Sequence, residues 1–339
     1  MPIIFSHTEE DSSADEVIAW LQYKGKNPAR FSGRDIIDKQ MSVRITKENT
    51  VFNYEKNNMF SALFGGNAEE SVWFRRWGDG GNNIRMLYNE GLDESEKVKL
   101  SLLTYGHLND ERKRFDDWLI NRITATHSSL NKQGFNDVNK LDILNLAAEV
   151  GLDIPETLIT NTKSEALEFL KEKERIVCKS ISEGFTFLTD SDQTYLMYTE
   201  EVKEEDLKSM SEKFAMTLFQ ELLDKKFEIR ISYLDGEFYS MAILSQENPK
   251  TEIDFRRYDY THPNRYIPFS IPEDVNRALL KLMDKLNLQS AAIDIVYTYE
   301  GKYVFLEVNP VGQFGMVSKP CNYYLEEKIA DYLIKLERE

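Results

Sequence analysis

The sequence predicts an α/β (α+β) fold, and three observations carry that prediction. Segments 219–244 and 292–309 are rich in β-branched and aromatic residues, alternate in polarity, and each contains a turn dipeptide, so each reads as a hairpin. Segments 273–287 and 322–336 space their apolar residues along one helical face. Residues 1–90 set short β-rich runs around a helix, the pattern of a small α/β unit. A chain of 339 residues is long enough for two or three subdomains with real cores.

Composition narrows the function classes. With 41% hydrophobic and 29% charged residues the chain reads as a soluble globular protein. The start MPIIFSHTEEDSS is neither basic nor a long apolar run, and no stretch of about 18 apolar residues occurs, so a cytoplasmic location is expected. Cys178 and Cys321 are too few for a disulfide framework or a structural zinc site, and both read as core residues. A net charge of −16 argues against general binding of nucleic acid or anionic membranes.

In chain order, a strand at Pro2 to Phe5 precedes a helix whose capping box Ser13-x-x-Glu16 starts it and Gly25 ends it. Its apolar side is Val17, Ile18, Trp20 and Leu21. Arg30 to Phe31, Val43 to Ile45 and Val51 to Tyr54 read as strands. In SVWFRRWGDGG (71–81), Arg75 and Arg76 between Trp73 and Trp77 fit two readings: an anion- or peptide-binding site, or arginines snorkelling over aromatics at a strand end. Residues 94–132 are helical in period, with Val98, Leu102, Leu103, Phe115, Trp118, Leu119 and Ile123 as the expected buried set. A second helix at about 137–150 stops at Gly151 and carries Lys140.

RIVCKSISEG reads as a strand with Val177 and Lys179 on one face and Ile176 and Cys178 on the other. A lysine there must find an anion or snorkel out. In FEIRISY, Phe227, Ile229, Ile231 and Tyr233 face one way while Glu228, Arg230 and Ser232 face the other, and Asp235-Gly236 forms the hairpin tip. That polar row lines a site or faces water. Residues 245–272 have no sustained period and read as a long loop, functional or disordered, bearing Arg256, Arg257 and Arg265. A helix from Glu273 to about Asn287 follows.

It leads to AIDIVYTYEGKYVFLEVN (292–309). If Glu300-Gly301 is the whole turn, Asp294 lies opposite Glu307, and Asn309 shares their face. Two carboxylates about 5 Å apart repel by about 3 kcal/mol at an effective dielectric of about 20, so a cation is expected between them. Two carboxylates and an amide oxygen, without thiol or imidazole, suit Mg²⁺ rather than Zn²⁺. The alternative is a solvated sheet face. PVGQFG stops the strand, and a closing helix begins at about Asn322.

Taken together, the order is Lys140 on a helix, Lys179 on a strand, a Gln-Glu hinge, a Glu-x-Arg strand, then Asp294 and Glu307-x-Asn309. From about Lys140 to the end this resembles the ATP-grasp ligases. The resemblance implies an ATP-grasp fold with an N-terminal pre-ATP-grasp α/β domain and helical connector (1–125), a central lobe (126–222) and a C-terminal lobe with the metal site (223–339). It also implies ATP and Mg²⁺ as cofactors. Lys140 and Lys179 would contact the phosphates, Gln220, Glu221, Leu222 and Leu223 the adenine, and Glu228 the ribose; Asp294, Glu307 and Asn309 would ligate the metal.

DSSADEVIAWLQYKGKNPARF, SVWFRRWG and FLEVNPVGQFGMVS further resemble the graspetide synthetases, including the microviridin-type ligases and the grasp-with-spasm peptide maturases. This implies a peptide macrocyclase that phosphorylates Asp or Glu side chains and joins them to Ser or Thr hydroxyls as esters, or to Lys amines as amides. Arg230 and Arg256 are the candidate catalytic cations, with Arg75, Arg76 and Arg257 as candidate peptide contacts. The expected partners are a ribosomal precursor peptide, with a leader and an acidic core containing Thr, Ser or Lys, and a second copy of the chain in a dimer. A ligase adding free amino acids to a protein or peptide terminus, or a nucleotide-binding regulator without turnover, is the alternative.

Overall fold

Four short parallel strands organise the first of two units. The computed structural model describes residues 1–6, 11–32, 41–48, 50–54, 70–75, 92–131, 138–182, 184, 186–188 and 194–337. It divides into Met1–Asn136 with Glu326–Glu339, and Asp137–Leu325. The first unit runs β1 (Ile3–Phe5), α1 (Ser12–Tyr23), β2 (Ala29–Phe31), β3 (Met41–Ile45), β4 (Thr50–Tyr54), β5 (Ser71–Phe74), α2 (Glu94–Thr124) and β6 (Ser128–Leu130). The sheet order is β2-β1-β5-β6, parallel at each pairing, while β3 and β4 pair antiparallel with each other. A parallel sheet covered on both faces reads as continuous apolar residues, which is why Ile3, Ile4 and Phe5 are all buried. The ring of Phe5 meets Phe31 and Phe74 at 5.4 and 4.9 Å, fixing the centre of this core.

Two expectations for this unit are corrected. The cap of α1 is Asp11, whose carboxylate accepts from the Ala14 N–H, so the helix starts before Ser13. Along α2, Leu119 and Ile123 are buried with Phe115 and Trp118 packed beside them, but Val98, Leu102 and Leu103 are exposed. The periodicity found the helix; among the described residues only its second half packs on a core.

The second unit holds two larger sheets. Its first part is α3 (Lys140–Glu149), β7 (Thr157–Thr162), α4 (Lys163–Lys173), β8 (Ile176–Lys179), β9 (Thr186–Leu188), β10 (Thr194–Leu196), β11 (Glu200–Val202), α5 (Glu204–Ser209) and β12 (Lys213–Glu221). Strands β11-β8-β12-β7 form an antiparallel sheet, and β9 pairs with β10. Ile176, Phe219, Ala166, Phe169 and Leu207 make its core, with Cys178 packed against them. Val177 and Lys179 are left on the opposite face, as the alternation of β8 requires.

The second part is β13 (Lys225–Leu234), β14 (Glu237–Leu244), β15 (Arg265–Phe269), α6 (Glu273–Leu286), β16 (Ser290–Thr298), β17 (Tyr303–Asn309) and α7 (Gly315–Cys321). The antiparallel order is β15-β14-β13-β16-β17. Asp235 and Gly236 both have positive φ, 46° and 91°, which makes the β13–β14 tip a two-residue turn. Ile229, Ile231, Ile293, Ile295, Phe305 and Val308 cover one face and pack on α6 and on Ile143, Leu144 and Ala147 of α3. The segment after β14 is less irregular than its sequence: β15 adds to the sheet edge, where Pro268 is tolerated. The closing helix α8 (Leu325–Leu336) belongs with the first unit from Glu326 onward, where Lys24 bonds Glu327 and Asp331 at 3.0 and 2.9 Å.

Candidate active site

The opposite face of the five-stranded sheet carries the polar row. Arg230 pairs in register with Asp294, and Asp294 with Glu307, so three charged side chains stand side by side across β13, β16 and β17. One step along, Ser232, Ala292 and Asn309 form the next row. This face is covered: Glu228 and Arg230 are each 8% exposed and Ser232 4%. Asp294 and Glu307 are less enclosed, with 16% and 33% of their side chains exposed, so the row runs from a buried strand to a half-buried one.

The register is reached by a different route from the one the turn dipeptide suggests. Thr298 N–H donates to Lys302 O and Gly301, at φ +83°, closes the loop, so Tyr299, Glu300 and Gly301 all lie in the turn. Near the turn Tyr297 faces Tyr303 and Ile295 faces Phe305; a register shift between Asp294 and Ile295 then brings Glu307 opposite Asp294. Leu306 is the extra residue of a β-bulge. The bulge explains why Phe305 and Val308, of opposite parity, both enter the core while Glu307 and Asn309 face the site.

Cations converge on this row. Arg230 Nη1 donates to Asp294 Oδ2 at 2.5 Å. Lys140 Nζ lies 3.4 Å from Glu307 Oε2. It occupies the first turn of α3, where the helix dipole disfavours a cation, so the Glu307 carboxylate offsets a local cost. Burial works to raise the pKa of Glu307, but Lys140, Lys179, Arg230 and Arg256 together hold it below the ordinary range. For Asp294 burial prevails, with Glu307 adding to the upward push against Arg230. Burial lowers the pKa of Lys179, and Glu307 opposes that shift. Arg230 Nε and Ser232 Oγ are buried without hydrogen-bond partners, which leaves a donor and a hydroxyl for a bound oxygen.

The remaining candidates sort as follows. Glu228 Oε1 accepts from Lys225 Nζ and Ser245 Oγ, both at 2.9 Å, which leaves Oε2 outside those bonds. Gln220 Nε2 donates to Thr157 Oγ1 at 2.9 Å, and its buried Oε1 has no partner. After it, Glu221 N–H donates to Glu156 O and Leu222 N–H to Arg175 O, fixing the strand-to-strand link that continues through Leu223. Asn309 Oδ1 accepts from Val311 N–H at 2.9 Å. Arg256 is held by Asp254, and its charge acts on Glu307 and Asp294. Arg257 is not with them: it pairs with Glu200 at 2.6 Å and lies over the Tyr198 ring. Arg75 is buried in the first unit, its Nε 3.5 Å from Asp11 Oδ2. Arg76 and Trp77 lie outside the described residues.

Sequence reasoning missed Lys225, Ser245, Asp254 and Gly312. The first three carry no periodic signal, because their roles rest on particular contacts: Lys225 with Glu228 and Ile253, Ser245 with Glu228, and Asp254 with Arg256 and Thr199. Gly312 enters the sequence reading as a strand stop and as part of the FLEVNPVGQFGMVS resemblance, with no packing role, yet a Cβ there would meet Ala292 Cβ at 2.1 Å and Arg230 Nη2 at 3.1 Å. The turn after β17 folds back onto the polar rows, and only glycine fits that approach.

Asp294, Glu307 and Asn309 supply hard oxygen donors of the kind Mg²⁺ prefers, and the ion pairs with Arg230 and Lys140 use only one oxygen of each carboxylate. Among the described residues no group of three or more His, Cys, Asp and Glu side chains is placed to hold a metal, so the Asn309 amide is needed as the third donor. The residues fit a magnesium site.

No protein-family model and no curated protein sequence matches the chain. Solved structures do. A RiPP-associated ATP-grasp ligase of Chryseobacterium gregarium, in complex with ADP and a leader and core peptide, is 23% identical over 99% of this chain and 96% of that one, with a TM-score of 0.76. The macrocyclase MdnC of Microcystis aeruginosa MRC, bound with precursor peptide MdnA, is 23% identical over 99% of both chains, with a TM-score of 0.71. The ATP-grasp ligase PsnB, complexed with a phosphomimetic variant of its minimal precursor, Mg and ADP, is 17% identical over 99% of this chain and 97% of that one, with a TM-score of 0.68. The fold is that of the ATP-grasp ligases.

Proposed function

Taking the ATP-grasp fold as the premise, we propose that this chain is an ATP- and Mg²⁺-dependent, ADP-forming ligase that makes macrocycles in a ribosomal precursor peptide. It activates an Asp or Glu side chain and joins it to a Ser or Thr hydroxyl, as an ester, or to a Lys amine, as an amide. One observation carries the reading: an acidic chain gathers Lys140, Lys179, Arg230 and Arg256 around a half-buried carboxylate pair on one sheet face. Phosphoryl transfer needs such positioning and charge neutralisation more than covalent help from the protein. The similar solved proteins, named for ADP and for precursor peptides, support the substrate class.

Each residue then has a task. Lys140 and Lys179 hold the ATP phosphates between the two sheets of the second unit. The Gln220 to Leu223 link receives the adenine, whose amino group satisfies the partnerless Gln220 Oε1. Glu228 takes the ribose through Oε2. Asp294, Glu307 and Asn309 hold Mg²⁺, which when bound neutralises the phosphate oxygens in flight. Arg230 and Arg256 orient the peptide carboxylate, whose oxygen attacks the γ-phosphorus as the bond to the ADP oxygen breaks. The hydroxyl or amine then attacks the acyl carbon, phosphate leaves, and the attacking group loses its proton. The covered face keeps water from the acylphosphate.

Among the described residues no helix is long and apolar enough to cross a membrane. Both cysteines are free thiols, which agrees with the cytoplasmic setting proposed here, where the enzyme works as a dimer. The test is incubation with ATP, Mg²⁺ and the acidic precursor encoded beside the gene. Loss of one water per ring with one ADP released supports the reading, and mild alkali separates esters from amides. A mass gain of one amino acid establishes the terminus-extending ligase instead, and no mass change despite bound ATP establishes the regulator.

A further inference from the structure

Asp254 sits in the loop after β14 and is 5% exposed, yet four hydrogen bonds end on its carboxylate. Oδ1 accepts from Arg256 N and Nε at 3.0 and 2.9 Å, and Oδ2 from Arg256 Nη2 at 2.6 Å. The fourth donor comes from the other sheet of the unit: Thr199 N–H, 3.1 Å from Oδ2. Thr199 immediately precedes β11, which pairs with β8, the strand that carries Lys179. The attachment is reinforced next door, where Arg257 Nη2 bonds Glu200 at 2.6 Å and its guanidinium lies 5.1 Å over the Tyr198 ring. The loop is braced from behind by Lys225 Nζ on Ile253 O at 2.9 Å and by Thr251 Oγ1 on Ser245 O at 3.0 Å.

A lone arginine on a loop samples many rotamers, and a two-point pair with a fixed carboxylate removes most of that freedom before substrate arrives. Here the fork uses Nε and Nη2 and leaves Nη1 out of the pair, while half of the Arg256 side chain remains exposed. The charge so held acts on Asp294 and Glu307.

We infer that Asp254 is a positioning residue: it fixes the Arg256 guanidinium and, through the Thr199 N–H, ties that setting to the seating of the sheet that carries Lys179. Its consequence for turnover rests on the ligase reading above. Arg256, meant for the peptide carboxylate, and Lys179, meant for the nucleotide, are thereby brought to order together, and either sheet displaced from the other loosens the arginine.

A double-mutant cycle tests this. Asp254→Asn should lower kcat for ring formation at least tenfold, with KM for ATP within twofold of wild type. In an Arg256→Ala background the same change should cost less than a further twofold, because the residue acts through Arg256. Asp254→Glu, which keeps the charge and displaces it by one methylene, should fold and still lose several-fold in kcat; it serves if Asp254→Asn does not fold. Independent, multiplicative losses in the cycle, or Asp254→Asn within twofold of wild type, overturn the inference. A second readout does not need turnover: the Arg256 Nε–H resonance, assigned by its loss in Arg256→Lys, should be protected from solvent exchange in wild type and unprotected in Asp254→Asn. If wild-type protein releases no ADP with any authentic precursor, the ligase reading falls while this resonance still decides the clamp, and an unprotected Nε–H in wild type refutes it.

Discussion

Asp294 and Glu307 face each other across β16 and β17, although those strands leave their turn one residue out of that register. A bulge at Leu306 corrects it, and the two acids share the charge of Arg230 and Lys140 on either side. Removing one acid without changing its shape is therefore the most direct test of the site. Glu307→Gln should still fold, with a lowered thermal midpoint because its four cations lose a counter-charge, and lose ligation by orders of magnitude because a ligand charge is gone. Near-normal ring formation by mass spectrometry would sink the metal assignment.

Lys179 carries a conflict between stability and function. Burial holds its pKa below the ordinary lysine range, so keeping it charged opposes folding at neutral pH. That penalty is full well below its folded pKa and fades as the pH rises through the unfolded value of about 10.4. Lys179→Met should match or exceed wild type in thermal midpoint at pH 7, with the difference shrinking toward pH 10, while nucleotide affinity falls at least tenfold. A destabilised variant with unchanged affinity would make the lysine structural.

Gly312 has no room for a methyl group. Gly312→Ala forces its Cβ against Ala292 and Arg230 and should cost about 1–3 kcal/mol in denaturant unfolding. Ala292→Gly in the same chain should recover a measurable part of that loss. No recovery would place the strain elsewhere in the turn.

Asp254 predicts an acid-side signature. Burial works to raise its pKa, but the bonds from Arg256 and from the Thr199 N–H hold it below the usual carboxylate range. A depressed folded pKa gives stability that is complete above the unfolded value of about 3.9 and is lost as the pH falls through the folded one. The stability gap between wild type and Asp254→Asn should stay constant from pH 8 to about 5 and close below about pH 4. A gap that widens in acid would contradict the ion pair.

Much of the site was legible because strand alternation is strict. Glu228, Arg230 and Ser232 on one face of β13, and Lys179 opposite Cys178 on β8, follow from parity alone. The Asp294–Glu307 pairing was legible for a partly mistaken reason, since a two-residue turn and a three-residue turn with a bulge converge on one register at that point. What stayed hidden depends on tertiary partners. Val98, Leu102 and Leu103 repeat at helical spacing but stay exposed. Asp254 lies in a stretch without period and is defined by its fork with Arg256 and by one bond from Thr199, ahead of a strand of the other sheet. Strand β15 was obscured by Pro268, which an edge position tolerates.

The return of α8 to the first unit sets an order of events on the ribosome. Lys24 and Lys26 find Glu327, Asp331 and Glu337 in the last segment of the chain, so the unit begun by β1 stays unfinished until that segment emerges. Residues 137–325 are contiguous and are all made in between. Domains fold as units during synthesis at about 5–20 residues per second. The part that bears the Asp294–Glu307 row is thus complete first, and the unit begun before it is the last to close.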